Sequence, residues 1–350
     1  SAIQETSSHT TQCKSTAVMA FREPIHILGA GSIGVCWSAL IRSSLPAYPV
    51  TLLSRHNTAT TNSKASNQHP STRDVALKRL HPKPTVEKLQ LSQHLIGSNH
   101  NDLESTKIKN LLVTTKSYQA REAVESILPY LEKESSKIII ICNGALSVKE
   151  DLSKFEIPLV LATTTHGAYL ENNKQDVVHA GVGKTYIENM PQLAELWDSV
   201  GMRCKSLSTN EMNVMLWQKL AANCVINPLT AIFRCSNGEL LLEPSFPQLL
   251  YEIVGELVAV ANMDDSDSTG GEASITEEAL VAFVYEVIRD TEHNRSSMYQ
   301  DIVLKQQKSE IDHLNGFVVK KGRVVGVECT TNEDIVGRIK QLETRNKNAH

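Results

Sequence analysis

Ile25-His26-Ile27-Leu28-Gly29-Ala30-Gly31-Ser32-Ile33-Gly34 is the stretch on which the reading of the fold turns. A short apolar run leads directly into G-x-G-x-x-G, and an apolar-periodic stretch follows to about Ser43. Such glycines carry little information alone, but between a strand and an amphipathic helix each has its own task. The first makes a tight turn, the second lets a pyrophosphate approach the backbone, and the third lets helix pack closely on strand. The helix N-terminus adds N–H groups and partial positive charge. Gly29, Ala30, Gly31, Ser32, Ile33 and Gly34 are therefore the expected cradle of a dinucleotide. A merely structural glycine turn is the competing reading.

Further apolar runs lie at Val50-Thr51-Leu52-Leu53, Leu111-Leu112-Val113, Ile138-Ile139-Ile140-Ile141 and Leu159-Val160-Leu161-Ala162, with strand-like pieces to Ile187. Continuous apolar runs alternating with helical segments predict a parallel sheet covered on both faces. After Leu53 the chain reads Ser54-Arg55-His56, where an NAD-preferring site places an acid for the ribose 2′-hydroxyl. Arg55 stands there instead, and a guanidinium suits a 2′-phosphate, so NADPH is the expected cofactor. A solvated surface arginine is the alternative. Lys116 and Asn143 follow consecutive strands at the edge where ligands bind, which makes them candidate contacts of the nicotinamide half or of a substrate. His166 is read equally well as a site residue or as a packed one.

After about Leu207 the pattern becomes helical, over residues 211–233, 246–262, 276–291 and 297–321. The expected organisation is a flexible tail (1–20), an α/β Rossmann-type dinucleotide-binding domain (21–207) and an all-helical C-terminal domain (208–345). Residues 57–109 read as a polar segment containing histidine and proline, and the acidic run 264–272 as a solvated loop between helices.

Within 211–233, Lys219, Asn223 and Asn227 recur at i, i+4, i+8 and form one polar stripe beside the apolar Leu216, Leu220 and Cys224. An amine and two amides on so apolar a helix need partners. They form either a satisfied structural network or a proton donor with two ligands for a polar substrate. Pro228 cannot donate to the Cys224 carbonyl, so the helix is expected to kink or end there and free an acceptor near the stripe.

The glycine loop, Thr115-Lys116, Asn143-Gly144, the Leu216–Thr230 stretch, Asn237-Gly238-Glu239-Leu240, Ser296-Ser297-Met298-Tyr299-Gln300-Asp301 and Glu310-Ile311-Asp312-His313-Leu314-Asn315-Gly316 together resemble the ketopantoate reductases. The resembling blocks run from about residue 25 to 320, and residues 57–109 and 264–272, which match none of them, read as insertions relative to the family. The resemblance implies NADPH-dependent reduction of a small 2-keto acid, 2-dehydropantoate, on the route to pantothenate and coenzyme A. It implies Lys219 as general acid, Glu310 as its partner and a substrate ligand, and Ser297 as a ligand of the substrate carboxylate. Asn223 and Asn227 would hold the hydroxyl and carbonyl side, Asn143, Asn237 and Asn294 completing the substrate set.

Hydride addition to a ketone builds charge on oxygen, which a positioned ammonium stabilises and protonates. Ser297 is also read as the N-cap of an S-x-x-Q box. Ser297 and Glu310 would point about 140° apart on one unbroken helix, so a break is expected between about Lys305 and Ser309. Ser309 would cap the new helix with Asp312 at its third position, placing Glu310 in the first turn.

Bulk properties narrow the partners. The chain has 350 residues, 41% of them hydrophobic, enough for a sizeable core, and a formal net charge of -4. That balance gives no general reason to seek nucleic acid or an anionic membrane. Its seven cysteines show no C-x-x-C pair and no cluster at metal spacing, so reduced thiols in a cytoplasmic setting and no metal are expected. A transit-peptide remnant in residues 1–20, with a mitochondrial location, is the alternative. The expected partner is a small 2-keto acid, and a homodimer is the assembly considered. Competing readings are another two-domain hydroxy-acid or polyol-phosphate dehydrogenase, and a non-catalytic NADP(H)-binding scaffold.

Overall fold

β1 (Ile25–Leu28) is buried along its whole length, as expected of a central strand flanked by β2 (Val50–Arg55) and β5 (Asn110–Val113). The computed structural model describes residues 21–55, 72–81, 83–96, 107–172, 176–264 and 275–348. Among these, eleven strands form one sheet, with β3 (Thr72–Arg79), β4 (Thr85–Ile96), β6 (Lys137–Ile140), β7 (Leu159–Thr164), β8 (Gly167–Glu171), β9 (Asp176–Gly181), β10 (Thr185–Glu188) and β11 (Cys204–Leu207) in the order β11-β10-β7-β6-β5-β1-β2-β4-β3-β9-β8.

The run β7-β6-β5-β1-β2-β4 is parallel. The expectation of a wholly parallel sheet is corrected at its flanks. β3 is antiparallel to β4, β8 to β9, and β10 to β7. The first two pairs can be antiparallel because their connections are short, whereas parallel neighbours need a crossover. Two of these strands, β3 and β4, lie within residues 57–109. That segment is therefore not only an insertion, since β4 pairs directly with β2.

α1 (Ser32–Ser44) packs on β1, β2 and β4, and Trp37 is fully buried with Val35, Cys36 and Ile41. α2 (Ser117–Glu125) and α3 (Ala145–Ser153) follow β5 and β6, and α4 (Pro191–Ser199) buries Trp197 in the same core as Trp37. Burying each such side chain stabilises by on the order of 2–3 kcal/mol.

The chain divides into two compact units, one through Met212 and one from Asn213. The second holds most of α5 (Thr209–Phe233), with α6 (Phe246–Asp264), α7 (Glu277–Asp290), α8 (Asn315–Val325) and α9 (Thr330–Asn348). α6 packs against α7, α8 and α9. α5 begins in a capping box that the helical periodicity did not reveal. The Ser208 hydroxyl accepts from Glu211 N at 3.4 Å, and the Glu211 carboxylate accepts from Ser208 N at 2.8 Å. α9 lies beyond the expected helices; its opening Thr330-Thr331-Asn332-Glu333 has the same box spacing. The expected tail (1–20) and nearly all of the acidic loop lie outside the described residues.

The expected helix over 297–321 is broken. One α-turn (Ser297–Tyr299) passes into a π-turn (Gln300–Leu304), Gln306 adopts φ 51°, and a 3-10 turn (Ile311–His313) precedes α8. The break falls where the angular argument puts it, but two of its details are corrected. Ser296, not Ser297, is the N-cap and accepts from Tyr299 N at 3.0 Å. Glu310 is the N-cap of the 3-10 turn rather than a first-turn residue, and Asp312 pairs with Lys340 instead of closing a box.

Candidate active site

In the first unit, the C-terminal ends of β1, β2, β5 and β6 share one edge of the sheet, because these strands are parallel. The glycine loop closes β1. Gly29 has φ +118°, a conformation side chains rarely adopt. A Cβ on Gly34 would lie 1.9 Å from Gly29 O, so the third glycine is required by the loop itself. A Cβ on Gly31 would meet nothing within 4 Å, and Gly31 is exposed at the start of α1. The loop is thus tight on its protein side and open at the second glycine, as backbone that receives a pyrophosphate must be. Ala30, Ser32 and Ile33 are half-buried around this opening.

Thr114, at the end of β5, supports the loop from below. Its hydroxyl reaches the carbonyls of Leu28 and Gly29, each at 3.1 Å. This residue was missed by motif reading, although its place at a strand end was visible. Thr115 Oγ1 is buried beside Gly29 with no hydrogen-bond partner. Lys116, half-buried, is the N-cap of α2, and Asn143 precedes Gly144, the left-handed N-cap of α3. Arg55 ends β2, and its side chain lies outside the described residues.

His166 lies two residues beyond the end of β7. It is buried against Trp37, with Nδ1 2.8 Å from His179 Nε2 and Nε2 2.9 Å from Met202 O. A carbonyl only accepts, so His166 Nε2–H donates to Met202 and Nδ1 accepts from His179. Both ring nitrogens are engaged, and burial holds the pKa of His166 below its ordinary value. His166 is a packing residue.

In the second unit, α5 continues through Pro228 to Phe233, so the helix does not end at the proline. The Cys224 carbonyl that Pro228 cannot serve accepts from Asn315 Nδ2 at 2.9 Å. Asn315 also donates to Asn332 Oδ1 at 3.0 Å, and Asn332 donates to Glu256 Oε2 at 2.7 Å. Glu256 in turn accepts from the N–H groups of Thr331 and Asn332, the first turn of α9. The freed acceptor is therefore used inside the fold and is not a ligand group.

On α5 itself Lys219 and Asn223 are half-buried and Asn227 buried, with Asn227 Nδ2 3.4 Å from Asn223 Oδ1. Cys224 is buried and its thiol pKa is pushed far up by desolvation, so it offers no thiolate beside the stripe.

The segment carrying Ser297 is pinned to the same stretch of helix. Ser296 Oγ lies 2.7 Å from Thr230 Oγ1 and donates to Asn227 O at 3.4 Å. Ser297, half-buried, opens the α-turn beside that anchor. Glu310 is 4% exposed, and five residues later Asn315 is bonded to Cys224. Local anchors thus fix both segments to residues 223–230 of α5. Asn237 is buried, with Nδ2 donating to Thr291 Oγ1 at 2.8 Å and its N–H to Asn294 O at 2.9 Å. Asn294 is exposed. No group of His, Cys, Asp and Glu among the described residues could hold a metal, and no described helix is long and apolar enough to cross a membrane.

A family model described as Ketopantoate reductase PanE/ApbA matches residues 25–192, and its companion, Ketopantoate reductase PanE/ApbA C terminal, matches residues 211–343. The 2-dehydropantoate 2-reductase of Vibrio cholerae is 34% identical over 295 residues, covering 80% of this chain and 93% of its own. Among solved structures, D-mandelate dehydrogenase in ternary complex with NADH and anilino(oxo)acetate aligns with a TM-score of 0.76 at 19% identity, over 93% of this chain and 99% of that one. A dimeric ketopantoate reductase from Staphylococcus aureus aligns with a TM-score of 0.66 at 17% identity, over 92% and 99% of the two chains. Likeness at such identity speaks for the fold.

Proposed function

Because the chain belongs to the ketopantoate reductase family, we propose that it reduces 2-dehydropantoate to pantoate with NADPH, on the route to pantothenate and coenzyme A. The observation that carries this reading is the pairing, in one chain, of a glycine loop open only at Gly31 with the Lys219–Asn223–Asn227 stripe. When bound, NADPH supplies the hydride to the ketone carbon.

The chain's own residues do the rest. Gly29–Gly34 receive the pyrophosphate, Arg55 pairs with the 2′-phosphate, and Lys116 and Asn143 border the nicotinamide half and the substrate. Lys219 holds a proton at Nζ for the ketone oxygen, stabilising the charge that builds there and neutralising it. Glu310 pairs with Lys219 and contacts the substrate. The Ser297 hydroxyl, at a helix start, donates to the substrate carboxylate. Asn223 and Asn227 hold the hydroxyl and carbonyl side, with Asn237 and Asn294 behind them. A homodimer is proposed by analogy with the Staphylococcus relative, and sedimentation of the purified chain tests it.

The activity is tested by NADPH oxidation with 2-dehydropantoate against a panel of other 2-keto acids, aromatic ones included. The expected outcome is the highest kcat/KM for 2-dehydropantoate. Preference for an aryl keto acid would reassign the substrate. NADPH binding without turnover of any keto acid would leave a cofactor-binding scaffold.

A further inference from the structure

The carboxylate of Glu310 follows a five-residue break, 305–309, that no helix or strand supports. Such a segment holds a reacting group loosely unless something outside it fixes the backbone. α9 supplies ties at three successive i, i+3 positions, and so along one side of the helix. Asn346 Nδ2 donates to Ile302 O at 2.7 Å, before the break. Lys340 Nζ lies 2.6 Å from Asp312 Oδ1, after it. Between them, Glu343 Oε1 accepts from both Ser309 N and Ser309 Oγ, each at 2.7 Å.

The middle tie differs from its neighbours. Ser309 is 1% exposed, so its two donors have no water to turn to when Glu343 is removed. One of them is the N–H of the residue adjoining Glu310. Fixing that residue by both backbone and side chain sets how the chain enters Glu310.

We infer that Glu343 is a positioning residue for Glu310, holding the Ser309 backbone so that the Glu310 carboxylate keeps its place. The inference rests on the proposed role of Glu310. A glutamine at 343 keeps an acceptor Oε1 for both donors, whereas a leucine of similar bulk has none.

The test is steady-state kinetics of the full chain with NADPH and 2-dehydropantoate, over a range of pH. Glu343→Leu is expected to lower kcat about tenfold or more, to displace the pH profile of kcat/KM, and to leave NADPH affinity unchanged. Glu343→Gln restores most of kcat. Glu333→Gln, also on α9, breaks the exposed ion pair to Arg323 of α8 and changes none of these.

In a Glu310→Gln background, Glu343→Leu costs little more, because the two act in series. Full kcat in Glu343→Leu beside an impaired Glu310→Gln overturns the positioning role alone, as do equal losses from Glu343→Leu in both backgrounds. A Glu310→Gln variant with full kcat overturns the role of Glu310 itself and, with it, what Glu343 is said to hold. If Glu343→Leu does not fold, Ser309→Ala decides. It removes one of the two bonds, and a several-fold fall in kcat is expected, with an unchanged kcat overturning the inference.

Discussion

Gly31 and Gly34 answer to different demands, and single substitutions separate them. A Cβ at Gly34 would press on the Gly29 carbonyl at 1.9 Å and on Thr114 Oγ1 at 2.5 Å. Gly34→Ala is expected to lose about 1–3 kcal/mol of stability together with NADPH affinity. Gly31→Ala has free space and an ordinary φ of -76°, so its thermal midpoint should hold while NADPH affinity falls. Melting curves with and without NADPH check both, and a Gly31→Ala protein that binds normally would move the pyrophosphate elsewhere. Lys219→Ala should cut kcat by about 10²-fold or more, as for loss of a general acid, with cofactor binding intact. Near-normal turnover would make Lys219 structural. Arg55→Ala should weaken NADPH far more than NADH, and equal losses would leave Arg55 without a role in cofactor choice. These residues were legible because their chemistry is local: a motif, a missing acid, a helical spacing.

At the scale of elements, legibility followed periodicity. The central strands are buried on both sides and announce themselves as apolar runs, whereas β3 reads Thr-Arg-Asp-Val-Ala-Leu-Lys-Arg, with only Val75 and Leu77 turned fully inward. One buried face in a polar segment is a weak signal, so β3 and β4 do not stand out in the sequence. The break before Glu310 could be read from angles alone, but its caps were displaced, because the choice between Ser296 and Ser297 is made by Thr230 on another helix. The same holds for Pro228, whose effect on α5 depends on Asn315. This dependence can be tested. Asn315→Ala should cost about 1–3 kcal/mol by leaving the Cys224 carbonyl buried without a donor. Pro228→Ala restores an N–H aimed at that carbonyl, so it should recover part of the loss in the Asn315→Ala background and stabilise less in the parent. Urea denaturation of the four proteins measures the coupling. Additive changes would mean that Asn315 is not what satisfies the helix.

Across the whole molecule, the ties that set the site join distant positions: Asn315 and Cys224 are 91 residues apart and Glu343 and Ser309 are 34 apart. No pattern in a single sequence marks such pairs, and the buried histidines are another case of the same kind. His26, in β1, is held at a pKa of about 4 by burial and then by the charge of His94, and its Nδ1 has no partner. His179 is also held at about 4, by burial first and then by His166 and Arg79, and His166 is lowered as well. Unfolding returns these rings toward 6.5, so below that pH the unfolded chain binds protons that the native fold refuses. The stability present above pH 6.5 is therefore lost progressively as pH falls toward 4. For one such ring the loss between pH 7 and pH 5 is about 2 kcal/mol, and for His26 and His179 together about 4 kcal/mol. That is a large share of the roughly 5–15 kcal/mol by which a domain is stable. Carboxylates paired with lysine or arginine, such as the exposed Glu125 and the half-buried Asp176, have lowered pKa values and act mainly below pH 5. Urea denaturation at pH 7 and pH 5 should show the fall, and His26→Gln should shrink it by about half. Equal stability at the two pH values would mean that these rings take up protons in the native state, and the Met202–His166–His179 chain would then have to be redrawn with a charged ring.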